Sequence, residues 1–133
     1  MKVKLQKGDY EVLAGFRYAL RHFFRFSEEA ARKLGLETQQ YQALLVIKGF
    51  NGSHVTIGKL AGQLLIRHHS AVGLVDRLVA QNLLRRKPAT EDRRQVHLLL
   101  TPRGTRILEN LAAVHKEELR RFGPQIKALV ENF

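Results

Sequence analysis

The chain has 133 residues, enough for one domain with a proper core and too few for two. It has no cysteine, which excludes disulfides, thiolate metal sites and cysteine-based oxidant sensing. Its formal net charge is +11, and that excess suits either a polyanionic partner or a solvated basic surface. No apolar run approaches the roughly 20 residues of a membrane span, and no signal peptide follows Met1, so a cytoplasmic protein without a membrane partner is expected.

Residues 7–34 read as a first helix. Leu13, Phe16, Leu20, Phe23 and Phe24 keep a three-four spacing, and Gly35 after Arg32 and Lys33 is a C-terminal stop. Arg17, Arg21 and Arg25 form a ridge four residues apart. It is either a solvated face or a positive surface for a second copy or an acidic partner. Six aromatics before Glu28 exceed what one helix gives a small core, which suggests an intermolecular interface, a ligand cavity or both. Thr38 is expected to cap a second helix that carries Tyr41, Leu44, Leu45 and Ile47 to Gly49. Residues 50–53 are a turn by composition. His54 and Val55 then suit a one-rung strand against a later hairpin.

Thr56 caps a short helix with apolar positions Ile57, Leu60, Ala61, Leu64 and Leu65. The next helix, 68–80, commits Ala71, Leu74, Val75, Leu78 and Val79 to a core. Its other side begins Arg67-His68-His69-Ser70, a polar tip of the form that enters a DNA major groove. Residues 83–87 and 95–100 read as strands of a hairpin around a polar loop. Val96, Leu98 and Leu100 face inward and His97 outward. Asp76 is expected to pair with Arg77 or Arg86. Thr101 and Pro102 start a helix through Ile107, Leu108, Leu111, Val114 and Leu119. Gly123-Pro124 is expected to break it before a short last helix with Ile126, Leu129, Val130 and Phe133.

Charge follows this division. Between His54 and Arg103 there are nine Lys and Arg against three acids, whereas from Gly104 onward five stand against four. The positive field therefore peaks on residues 54–103, where it would steer a polyanion and release counterions from phosphates.

Three pieces in order carry a family resemblance: Leu74-Val75-Asp76-Arg77-Leu78 followed by Gln81-Asn82-Leu83-Leu84-Arg85-Arg86, then Asp92-Arg93-Arg94, then Leu100-Thr101-Pro102-Arg103-Gly104. With that spacing the chain resembles the MarR family of bacterial transcriptional regulators. The resemblance implies a mainly α fold with a small β-hairpin wing: a winged helix-turn-helix of six helices, with dimerisation helices from both termini. Residues 7–34 and 104–133 would pair two copies, and 36–103 would form the DNA-binding lobe. A homodimer on a pseudo-palindromic double-stranded operator is implied, with no cofactor. The regulator would most often be a repressor released by a small aromatic or phenolic ligand. By position, the DNA-binding candidates are Thr56, Lys59, Arg67, His68, His69, Ser70, Gly73, Arg77, Asp92, Arg93 and Arg94. Arg94 would enter the minor groove, where a weakly hydrated guanidinium suits the negative potential, and Asp92 would brace it. Phe16, Phe23 and Tyr41 are the candidate ligand lining.

The chain departs from the pattern at one place. The family commonly has Thr-Arg before the Leu-Val-Asp-Arg-Leu core, and this chain has Val72-Gly73. A glycine inside a helix costs about 1 kcal/mol relative to alanine, which calls for a packing or close-approach reason. Discrimination is then expected to shift to Arg67, His68 and His69, with Val72 against a thymine methyl.

Other classes fit less well. Ser70, His69 and Asp76 share one helix and cannot converge as a triad, and no phosphate loop or nucleophile elbow is present, so no enzyme is expected. His68 and His69 diverge by about 100° on a helix, a poor chelate; His22 with His115 is the looser metal possibility, and no metal site is assigned. A winged helix that binds RNA or protein without operator recognition is the remaining alternative.

Overall fold

The computed structural model describes residues 3–50, 54–89 and 94–133. Five helices and two strands follow in the order α1 (Lys7–Lys33), α2 (Thr38–Gly49), α3 (Ile57–Leu64), α4 (His68–Ala80), β1 (Leu84–Pro88), β2 (Val96–Leu100) and α5 (Pro102–Glu131). α1 starts with a capping box: the Gln6 backbone N–H donates to Asp9 Oδ2 at 2.9 Å. It stops at Gly35, whose φ of 75° lets the N–H groups of Gly35 and Leu36 return to the carbonyls of Arg32 and Ala31. α2 is capped by Glu37 and not, as expected, by Thr38. Gln40 lies three residues after Glu37, and its side chain accepts the Glu37 N–H at 2.9 Å.

α3 and α4 form the helix-turn-helix. Thr56 caps α3 by accepting the Lys59 N–H at 3.2 Å. The turn corrects the reading of Leu65 as an inward position. Leu65 takes a left-handed φ of 56° and is 92% exposed, because reversing the chain points its side chain out and hands the inward place to Ile66. In α4, Ala71, Leu74, Val75 and Leu78 are wholly buried. At about 1.5–3 kcal/mol per buried large side chain, this stripe outweighs the glycine at 73 and keeps the helix intact.

β1 and β2 pair antiparallel from Leu84 opposite Leu100 to Pro88 opposite Val96. The one-rung strand is present: Val55 bridges Leu98, whose N–H donates to the Val55 carbonyl at 2.8 Å. Leu98 is the buried centre of β2. His97 is not simply outward; it is half-buried and stacks on His54, with ring centroids 4.3 Å apart and planes 9° apart. The rung that brings Val55 to Leu98 also sets these neighbours side by side.

Among the described residues there are five helices where six were expected, because α5 runs through Pro124 without a break. The proline forfeits one backbone hydrogen bond, but its ring is exposed, and packing on both sides holds the helix against α1. Before it, Phe122 stacks on Phe23 at 5.5 Å; after it, Leu129 lies 3.2 Å from where a Cβ on Gly15 would be.

The start of α5 meets the end of α4 at a close junction. Thr101 caps α5 by accepting the Gly104 N–H at 2.9 Å, while its hydroxyl donates to the Asn82 carbonyl at 2.7 Å. Its own N–H reaches the Leu83 carbonyl at 3.1 Å. A Cβ on Gly104 would stand 2.1 Å from that same carbonyl oxygen. Gly104→Ala should therefore destabilise the protein by about 2 kcal/mol or more, read as a fall in the urea midpoint. A midpoint equal to that of the wild type would show that the junction yields freely.

Candidate nucleic-acid interface

The apolar stripe turns one side of α4 to the core and leaves the other to solvent. Arg67 is the N-cap residue, but its side chain makes no capping hydrogen bond. Arg67, His68, His69 and Ser70 are all exposed. Gly73 and Arg77 continue along the outer side. Of the two partners considered for Asp76, the structure selects Arg86, so this pair ties α4 to β1. Both partners keep substantial exposure, so the pair orients more than it stabilises.

Two candidates on α3 are occupied structurally. The Thr56 hydroxyl is the helix cap, and Lys59 Nζ turns back to the His54 carbonyl at 3.4 Å and over the Phe50 ring at 5.6 Å. Arg94 is exposed where the wing closes, next to the bond from Ala89 N–H to the Gln95 carbonyl at 3.0 Å. Asp92 and Arg93 lie outside the described residues. Arg85 and Lys87, exposed on β1, add cations that the site assignment missed. Their signal was the Arg85-Arg86-Lys87 run: strand alternation sets Arg86 apart to meet Asp76. The exposed tip of α4 and the cations of the wing together offer a convex basic surface. Such a surface can form charge-assisted bonds to phosphates and fork-shaped bonds to base edges.

The proposed ligand lining is packed differently. Tyr41 is buried and stacks on His115 at 4.4 Å; Phe23 and Phe26 meet the same imidazole edge-on at 6.1 and 5.5 Å. His115 Nδ1 lies 2.7 Å from the Leu111 carbonyl and Nε2 lies 2.8 Å from the Ser27 hydroxyl. The carbonyl can only accept, so Nδ1 carries hydrogen, and Nε2 is left to the Ser27 hydroxyl. This spends both nitrogens of His115 and leaves His22 against Tyr18 at 4.5 Å. Among the described residues no group of three or more metal-binding side chains converges. Phe16 is half-buried on α1. A cleft of about 600 Å³ does lie between α1 and α5, but Gly15, Tyr18, His22, Phe122 and Gln125 are among its lining, not Phe16, Phe23 or Tyr41. No helix among the described residues is long and apolar enough to cross a membrane.

Fold and exposed face together define a winged helix-turn-helix protein. The MarR family model matches residues 34–95. The uncharacterized HTH-type transcriptional regulator YsmB of Bacillus subtilis is 26% identical over 114 residues, which cover 83% of this chain and 77% of YsmB. AbsC of Streptomyces coelicolor, a MarR family transcriptional regulator, superposes with a TM-score of 0.78 at 20% identity over 98% of this chain and 90% of AbsC. A Staphylococcus aureus MepR mutant bound to an oligodeoxyribonucleotide gives a TM-score of 0.71 at 18% identity over 96% of this chain and 95% of its own. Over residues 34–95, a little under half of its length, the chain is thus similar to the MarR family.

Burial raises the Tyr41 phenol above its ordinary value of 10.0. The unfolded chain ionises first, so the contribution is intact below pH 10 and is lost as pH rises from there through the folded value. Urea unfolding between pH 8 and 11 should show the wild type losing stability more steeply than Tyr41→Phe. Parallel curves would mean that water reaches the hydroxyl freely.

Proposed function

We propose that the chain is a sequence-specific, double-stranded DNA-binding transcriptional regulator that works as a homodimer. The observation that carries this reading is a helix fully buried along one side, with an exposed Arg67-His68-His69-Ser70 tip, beside a wing that exposes Arg85, Lys87 and Arg94. Residues 36–103 read the operator. Residues 7–34 and 104–133 pair the copies, which gives a use to the exposed apolar side chains Tyr10, Leu13, Phe24, Leu119, Val130 and Phe133. Two-fold symmetry would place the readers in successive major grooves about 34 Å apart and require a pseudo-palindromic site. Repression follows by occupying a promoter, and the protein acts in the cytoplasm, where its DNA is. A small aromatic or phenolic ligand between the pairing helices and the reader would release it by favouring a spacing that does not fit two grooves.

A winged helix that binds RNA or protein is the second reading, favoured by Gly73, which removes a side chain from the reading face. Selection from random duplex DNA at fixed, near-physiological salt separates the two. An enriched inverted repeat with half-sites one helical turn apart is expected; binding without enrichment would favour the second reading. On the selected site, Arg94→Ala should weaken binding broadly and lower the salt slope by about 0.9 per lost phosphate contact. An unchanged slope and affinity would remove the wing from recognition. Arg67→Ala should relax specificity at one position in each half-site, whereas uniform weakening would make Arg67 a phosphate contact.

A further inference from the structure

We propose that Arg77, seated in the gap left by Gly73, reads a guanine in each half-site; the inference rests on the DNA-binding reading above. Gly73 stands in the interior of α4, where glycine is the least favourable residue after proline. Its backbone is ordinary helix and needs no glycine. Nor does packing require one: of the surrounding side chains, a Cβ there would meet Arg77 Nη1 alone, at 3.5 Å. The glycine therefore makes room on the outer face, and the occupant of that room is the guanidinium from one turn further on.

Side chains on a helix lean towards its N-terminus, so Arg77 delivers its charge near the level of residue 73, closer to the tip that enters the groove. Among the described residues nothing holds it elsewhere. Asp76, its neighbour in sequence, pairs with Arg86, and Arg77 forms no ion pair among the described residues. A planar fork of donors laid against the groove-facing side of a helix matches the O6 and N7 acceptors of guanine. The chain thus supplies from position 77 an arginine that residue 73 does not.

The test is selection from random duplex DNA at one salt concentration for the wild type, Arg77→Lys, Gly73→Ala and Gly73→Leu, with a melting temperature for each. The wild type should select an inverted repeat holding one guanine per half-site that Arg77→Lys no longer prefers. Discrimination there should fall by about 5- to 150-fold, with the other positions unchanged. Gly73→Leu should lose the same guanine with no drop in melting temperature, because leucine is a strong helix former that fills the seat. Gly73→Ala should keep the guanine and melt higher, since a lone Cβ only touches the guanidinium. Uniform weakening by Arg77→Lys, or no change, would overturn the proposal. So would a guanine retained by Gly73→Leu, or one lost in Gly73→Ala, which would show that DNA itself fills the gap. If the wild type selects no sequence, the DNA-binding reading fails and this inference falls with it.

Discussion

Between the end of α4 and the start of α5 there is room for two backbones and no β-carbon. Gly104 passes so near the Leu83 carbonyl that a methyl group would overlap it. Thr101 makes the approach favourable by satisfying polar groups on both sides with one residue: its hydroxyl serves the Gly104 N–H and the Asn82 carbonyl, and its N–H serves the Leu83 carbonyl. Asn82 contributes the bend itself, with a φ of 59° that turns the chain out of α4 into the wing. Three elements, α4, the β-hairpin and α5, are thus fixed at one point. Polar groups at such a point cost free energy unless each is bonded, and no buried side-chain nitrogen or oxygen among the described residues lacks a partner.

The remaining long-range polar contacts reinforce the same frame. Gln40 on α2 donates to Gln81 just past α4 at 2.9 Å, and Asp76 on α4 holds Arg86 on β1. Ser27 on α1 meets His115 on α5, and Tyr41 from α2 stacks on the imidazole. Each of these joins two elements that the hydrophobic core already brings together. The core supplies most of the stability, while the polar pairs choose one arrangement among those of similar burial.

What could be read from the sequence was whatever depended on local chemistry. The span of α1, the stop at Gly35, the caps Thr56 and Thr101, the buried stripe of α4 and the Val55 rung followed from spacing and residue type. What could not be read depended on competition between neighbours. Thr38 is a better cap than Glu37 when considered alone, but Gln40 is in register only with Glu37. Leu65 fits a helical stripe, yet the turn takes it, because Ile66 fills the inward place. Pro124 breaks an isolated helix, and here α1 spans the defect. Of the candidate site, the exposed tip of α4 was legible from polarity. The back-folding of Lys59 and the enclosure of Tyr41 were not, because both depend on distant rings meeting in space.

The uninterrupted course of α5 has a mechanical consequence. Its 30 residues make a rod about 45 Å long, joined to the end of α4 by the Thr101 junction, to α2 by the stacking of Tyr41 on His115, and laid along α1. A broken helix would absorb a push on its far end at the break; a continuous one transmits it. A tilt of about 5° over such a length displaces the opposite end by about 4 Å, more than half the width of a minor groove. A disturbance near Phe122 or Leu129 would therefore reach the start of α5 as a lever's motion does, through rotation of a stiff body.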